Sequence, residues 1–505
     1  MPGPSQITLW SSRTRPVDNV NPASALVLLA VVAVLAGPVY VMSRRAFWRA
    51  VLELHPAALA TLVVVMLVPA LGLVALRFQP AAAPWLAGGA IAAVALSAVF
   101  SRPGRGGHAG WPPGSLGWWG SVLSLVDPGE YTRRAERHGR VFKIRQMHRP
   151  TVCLTDLVEG SRLLRQQHEA LGPATLPYND VVPGGFIRFL RGEEHRARRA
   201  ALRPGFSRAA VSEMEPSLRS SIRTSLEELA EGGPWHPREI ETPVLRALIV
   251  AYLGPEASRA LRESTADLVR ALASGEERDL RALMDHLSHE GSVPSVMSNL
   301  AERLGDPTEG ERTQRAEREK ILANATYMLH LGWRDLSGFA AWLVVECARR
   351  PELLAEIREH PELSAPVVEE TLRLRQSEYL YRKATLDITL GDHLIPKGWL
   401  VRVCVREAHR SGVHFRDAQE FDATRFDPAC PHGAPEPGRF QPFGVDHHSC
   451  IGADITRTIG RLLVEEVSAY DLPLVREAPP AAGRRHWRHV APGSRMRVLL
   501  RARGA

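Results

Sequence analysis

Two stretches near the front of this chain, Ala23 to Met42 and Ala57 to Leu76, each run about 20 residues without a charge, the length a helix needs to cross a hydrocarbon core roughly 30 Å thick. Inside a bilayer every backbone polar group must be satisfied by the chain itself, so such stretches fold as transmembrane helices. Ala81 to Phe100 is also uncharged but rich in Ala and Gly. It is read as a third span that inserts less strongly, with a buried or interfacial helix as the competing reading. No short apolar region is followed by a small-residue cleavage site and soluble sequence, so the first span is not read as a cleavable signal, and the segments are expected to stay attached. Arg44, Arg45 and Arg49 lie between the first two spans and Arg102 and Arg105 follow the third, whereas Arg13, Arg15 and Arg77 fall on the other side. The positive-inside rule then places the C-terminal region in the cytoplasm. The Ala/Arg-rich composition has a bacterial character, which makes the expected location a multi-pass anchor in a bacterial inner membrane.

The Gly- and Pro-rich stretch Ser101 to Gly117 reads as a linker, giving a membrane region over 1–100, a linker over 101–117 and a soluble domain over 118–505. The soluble part is expected to be mainly helical with small sheets. Val141 to Ile144 and Thr151 to Leu154 read as one hairpin. Thr385 to Leu390 and Trp399 to Val405, joined through Gly391-Asp392 and Pro396-Lys397-Gly398, read as another. Ser274 to Lys320, dense in charge, is expected to form exposed helices and loops rather than a site. The net charge is +8, but the 63 Lys and Arg are scattered among 55 acids, so nucleic-acid binding is not indicated. Five widely spaced cysteines without a Cys-x-x-Cys pair argue against a disulfide framework or a zinc site.

One of those cysteines has an unusual setting. Cys450 ends the run Phe443-Gly444-Val445-Asp446-His447-His448-Ser449-Cys450-Ile451-Gly452, just before a helical pattern carried by Ile455, Ile459, Leu462 and Leu463. A thiolate is favoured at a helix N-terminus, and the surroundings suit an iron ligand. Phe443 can shield the sulfur, Gly452 lets the backbone approach a porphyrin, and His448 can meet a propionate. The plain alternative is a buried structural cysteine followed by a helix.

The order of these residues resembles the haem-binding loop of the cytochrome P450 family, Phe-x-x-Gly-x-(Arg/His)-x-Cys-x-Gly. The departure is Asp446, where the family has glycine; Asp tolerates left-handed geometry, so modest strain is expected rather than loss of the loop. Three more constellations match in order. In Glu370-Thr371-Leu372-Arg373 the acid and base share one helical face. With Arg425 some fifty residues on, they resemble the family's Glu-x-x-Arg pair and its meander arginine, which implies a structural role. His195 and Arg199, within Gly192 to Arg199, resemble the propionate-binding helix; taken alone they read as a wet helix face. Arg382 stands where family members place an arginine on the other propionate.

The resemblance implies a cytochrome P450-like fold and haem b, with Cys450 as the metal ligand and His195, Arg199, Arg382, His448, Phe443 and Gly452 around the cofactor. Leu176 to Phe189 and Ser377 to Tyr381 are weaker candidates for the substrate rim. In the helix over the haem the family carries Ala-Gly-x-(Asp/Glu)-Thr, an acid–alcohol pair that relays protons. The matching stretch here is Leu331-Gly332-Trp333-Arg334-Asp335-Leu336-Ser337. Gly332 is kept, Arg334 replaces the acid and Asp335 the alcohol, and no shift of register restores the pair. Gly332, Arg334 and Asp335 are the catalytic candidates, with Trp333 also shaping the pocket.

The implied activity is a membrane-anchored oxidoreductase that hydroxylates, or similarly oxidises, a small lipophilic substrate. Two alternatives stay open. One is an atypical reaction (peroxygenation, dehydration, rearrangement or nitrogen chemistry) prompted by Arg334-Asp335; the other is a non-catalytic membrane haem sensor. No flavin or iron–sulfur pattern is visible, so electrons would come from a separate ferredoxin or flavoprotein reductase unless peroxide drives the reaction.

Overall fold

The computed structural model describes residues 110–117, 129–146, 149–174, 182, 185–254, 296, 300, 312–375, 380–429, 435–445, 448–477 and 495–502. They fall within one compact unit, Ala81–Ala505. The expected spans and most of Ser274 to Lys320 lie outside the described residues, and among those described no helix is long and apolar enough to cross a membrane.

Ten α-helices are described: α1 Glu130–His138, α2 Leu157–Gln166, α3 Gly192–Leu202, α4 Arg208–Glu231, α5 Glu241–Leu253, α6 Arg312–Ala348, α7 Pro351–Glu359, α8 Ser364–Arg375, α9 Val405–His409 and α10 Ala453–Ser468. Local chemistry sets several of their ends. The Asp156 carboxylate accepts the Val158 and Glu159 N–H groups at the start of α2, and Ser207 caps α4 through the Ala210 N–H, satisfying donors that a helix N-terminus leaves orphaned. α5 is buried from Pro243 to Leu253 on nearly every side, the signature of a helix that runs inside a core rather than along it. Leu218, Ile222, Leu245, Ala251, Leu343, Val367 and Leu462 join α4, α5, α6, α8 and α10 in one apolar cluster.

The main sheet has the order β1-β2-β3-β8-β5-β4. Its strands are β1 Gly114–Ser115, β2 Val141–Gln146, β3 Arg149–Leu154, β4 Leu171–Pro173, β5 Leu380–Ala384 and β8 Leu400–Val403. β2 and β3 form the first expected hairpin, with Val141 opposite Leu154. The second expected hairpin is corrected. Ile388–Leu390 (β6) pairs with His393–Ile395 (β7), because Gly391 at φ +56° makes a tight turn directly after Leu390. β8 instead runs parallel to β3 and antiparallel to β5. All its side chains are buried, as a strand with neighbours on both sides requires.

The end of the stretch read as a linker lies on this sheet. Gly114 and Ser115 pair with Lys143 and Ile144, Leu394 N–H donates to the Gly110 carbonyl at 2.6 Å, and Trp111 packs edge-on against Trp399 at 4.8 Å. Gly114 has φ +114°, and a Cβ there would fall 2.3 Å from the Lys143 carbonyl oxygen, so the close approach of the two strands depends on glycine.

Candidate functional site

Cys450 sits at the mouth of a closed loop. Its N–H donates to the Phe443 carbonyl at 2.8 Å, and Gly444 turns the loop at φ +78°, a conformation that side chains disfavour. A Cβ on Gly444 would come within 3.2 Å of Leu380 in β5, so the loop rests on the strand that carries Arg382. Gly452 caps α10 from ordinary backbone geometry, close enough that a Cβ on it would lie 3.9 Å from the Cys450 sulfur. Phe443 is half-buried beneath the Arg457 guanidinium at 4.6 Å, and Arg457 is held by Glu369 at 2.6 Å. Asp446 lies outside the described residues.

Cationic and imidazole groups gather about this thiol. Arg199 of α3 donates to the Ser449 carbonyl at 2.8 Å and to its hydroxyl at 3.0 Å. Burial lowers the Arg199 pKa, while the charge of Cys450 opposes that shift; the sulfur and guanidinium are therefore electrostatic neighbours. One turn earlier on α3, His195 is buried with its ring 4.2 Å from that of His448. Arg382 donates to the Tyr381 carbonyl at 2.7 Å. Burial first and the Arg188 charge second push its pKa down to about 10. The donor set fits a haem: a soft sulfur at a helix N-terminus, with arginines crowded at like charge where a porphyrin would bring two carboxylates. Arg188 belongs to the stretch read as a substrate rim, and no motif marked it out as part of this cluster.

The long helix α6 presents two different faces. Met328, Leu331, Gly332 and Asp335 are partly exposed at helical spacing, and a Cβ on Gly332 would meet nothing within 4 Å. Trp333, Leu336 and Ala340 are buried in the core. Among the described residues, the Trp333 indole N–H and the buried Ser337 hydroxyl find no hydrogen-bond partner. Arg334 is exposed and within electrostatic reach of Glu241, whose carboxyl is pushed up by burial and partly restored by Arg238 and Arg334. Gly332 and Asp335, one turn apart, are both partly exposed, and Arg334 is exposed.

The Glu-x-x-Arg pair is fully assembled. Arg373 binds both Glu370 oxygens at 2.7 Å and donates to the His409, Ala418 and Glu420 carbonyls at 2.7–2.9 Å. Arg425 stands 3.5 Å from Glu370. His409, which sequence reading passed over, accepts the Gln441 N–H at 3.0 Å and so ties this network to the start of the cysteine loop. Nothing in Val405 to His409 signals that role, because it depends on a partner far along the chain.

The cytochrome P450 family profile matches residues 306–467. The chain is 24% identical to abscisic acid 8'-hydroxylase 2 of Oryza sativa subsp. indica over 444 residues, covering 74% of this chain and 85% of that protein. It is 25% identical to ent-kaurenoic acid oxidase 1 of Arabidopsis thaliana, covering 68% and 82% respectively. It is 26% identical to human cytochrome P450 26C1, covering 70% and 82%. The fold is similar to that of retinoic acid-bound cyanobacterial CYP120A1, with a TM-score of 0.64 at 17% identity, covering 78% of this chain and 99% of that one.

Proposed function

From the premise that this chain belongs to the cytochrome P450 family and is an oxidoreductase of the monooxygenase type, we propose that it hydroxylates a small lipophilic substrate, with Cys450 as the residue that would ligate the iron of haem b. The observation that carries this reading is the convergence of Arg199, His195 and His448 on the cysteine loop, with Arg382 on the adjoining strand. Thiolate-ligated haem supplies the oxidising chemistry when bound. This chain's residues hold it. The cations would neutralise its carboxylates, Arg457 lies over the Phe443 ring in the cysteine loop, and the Glu370–Arg373–His409 network is tied to the start of that loop at Gln441.

Gly332 leaves room beside α6, and Asp335, one turn on, would carry a proton there. The relatives' printed names support a lipophilic substrate, since abscisic acid and ent-kaurenoic acid are largely apolar organic acids. The uncharged N-terminal stretches support membrane attachment, and a separate redox protein supplies electrons. An atypical, peroxide-driven reaction is the second reading, favoured by Arg334-Asp335 standing where the family carries an acid–alcohol pair.

The test is a carbon monoxide difference spectrum of reduced full-length protein, followed by turnover with a reductase or with peroxide. Wild type should give the red-shifted thiolate band and Cys450→Ser should lose it; an unchanged band rejects Cys450 as ligand. Turnover with peroxide alone would select the second reading, and ligand-dependent spectra without turnover would select a sensor.

A further inference from the structure

Asn324 is wholly buried within α6, yet its amide is committed to a distant loop. Its Oδ1 accepts the Ile187 N–H at 2.8 Å and its Nδ2 donates to the Gly185 carbonyl at 3.1 Å. A further bond to the Lys320 carbonyl at 2.8 Å anchors it to its own helix. An apolar side chain would fill the same space without the cost of desolvating an amide. The amide therefore serves the segment it grips.

That segment is the short turn Ile187–Phe189. It is entered through Gly185 at φ +83° and braced by Phe186, which packs edge-on against Tyr327 of α6 at 4.9 Å. The turn carries Arg188. Just beyond it, Arg191 lies so close to β4 that a Cβ on Gly172 would fall 1.4 Å from its guanidinium. The next residue of β4, Pro173, is paired with Arg382. β5 and Arg191, two residues past the turn, thus meet the same short strand, and the charge of Arg188 lowers the Arg382 pKa. Two guanidinium groups brought together by separate elements suit a single carboxylate gripped from both sides.

We propose that Asn324 is a positioning residue that holds the Ile187–Phe189 turn so that Arg188 and Arg382 close on one carboxylate, either that of the haem or that of an organic acid substrate. The proposal rests on the haem-thiolate reading. It makes the anion clamp and the helix beside Gly332 one mechanical unit, since Asn324 and Gly332 lie on the same helix. Displacing the turn would then loosen the clamp without touching either arginine.

The test uses full-length, haem-loaded protein as wild type, Arg188→Gln, Asn324→Ala and the double variant, with thermal melts recorded for each. Haem transfer to excess apomyoglobin is followed by absorbance, and a long-chain carboxylic acid and its methyl ester are titrated spectrally. Arg188→Gln should release haem roughly tenfold faster if the carboxylate is the cofactor's. If it is the substrate's, Arg188→Gln should instead lose the acid-dependent spectral shift while keeping the ester's. In whichever arm responds, Asn324→Ala should reproduce the effect and the double variant should be no worse than Arg188→Gln alone. No response in either arm overturns the clamp. Additive effects in the double variant overturn the role of Asn324, because general loosening of α6 would add to the loss of Arg188. The wild-type spectrum tests the haem reading separately from these variant-to-wild-type ratios.

Discussion

Arg373 holds both oxygens of Glu370 at 2.7 Å with neither side chain reached by solvent, and it spends its remaining N–H groups on three backbone carbonyls. The pair is the peg on which residues 409–425 hang, since Asp422 N–H also donates to Glu370 at 2.8 Å. Removing one partner leaves the other charge buried and unanswered. Glu370→Gln or Arg373→Leu should therefore cost about 3–5 kcal/mol. The expected result is little or no haem-loaded protein on purification, and a loss below about 1 kcal/mol in denaturant unfolding would contradict the burial argument.

Asp335 and Arg334 should separate functionally. Asp335 is partly exposed one turn from Gly332, while Arg334 is exposed and within electrostatic reach of Glu241. Asp335→Asn should lower kcat by about 100-fold, the scale of a lost proton-transfer group, with KM little changed. Arg334→Gln, at an exposed position near Glu241, should change kcat less than about threefold. Steady-state kinetics with a reductase decide the matter, and the reverse ranking would place the arginine in the pocket.

His409 predicts an acid limit to stability. Burial first and Arg373 second push its pKa down to about 3, against about 6.5 for an ordinary imidazole. The unfolded chain takes up a proton below that ordinary value, and the folded chain refuses it until near 3. Stability from this residue is thus complete above pH 6.5 and drains away as pH falls toward 3. His409→Gln, which keeps an acceptor for Gln441 N–H, should flatten the fall in melting temperature between pH 6.5 and 4.5. Parallel curves for the two proteins would refute the assignment.

Gly114 tests whether residues 110–117 are bound or loose. Gly114→Ala would drive a methyl group to 2.3 Å from the Lys143 carbonyl and should release β1 from the sheet at a cost of about 1–3 kcal/mol. Faster limited proteolysis within 101–117 is the expected readout. Unchanged cleavage would mean that the strand pairing contributes nothing to holding this segment.

The sequence by itself determined the elements whose signals are local. The cysteine loop, the Glu370–Arg373 spacing, the His195–Arg199 spacing and the first hairpin are each written in a few consecutive residues, because helical and strand periodicity decide which side chains share a face. It also placed Arg334 and Asp335 where the family resemblance implies an acid and an alcohol. Tertiary structure alone decided which strand β8 joins, that Asn324 reaches Ile187 and that His409 meets Gln441. Each of those outcomes depends on contacts between residues far apart in the chain. Such contacts are selected by packing and by the need to satisfy buried polar groups, which no local pattern records.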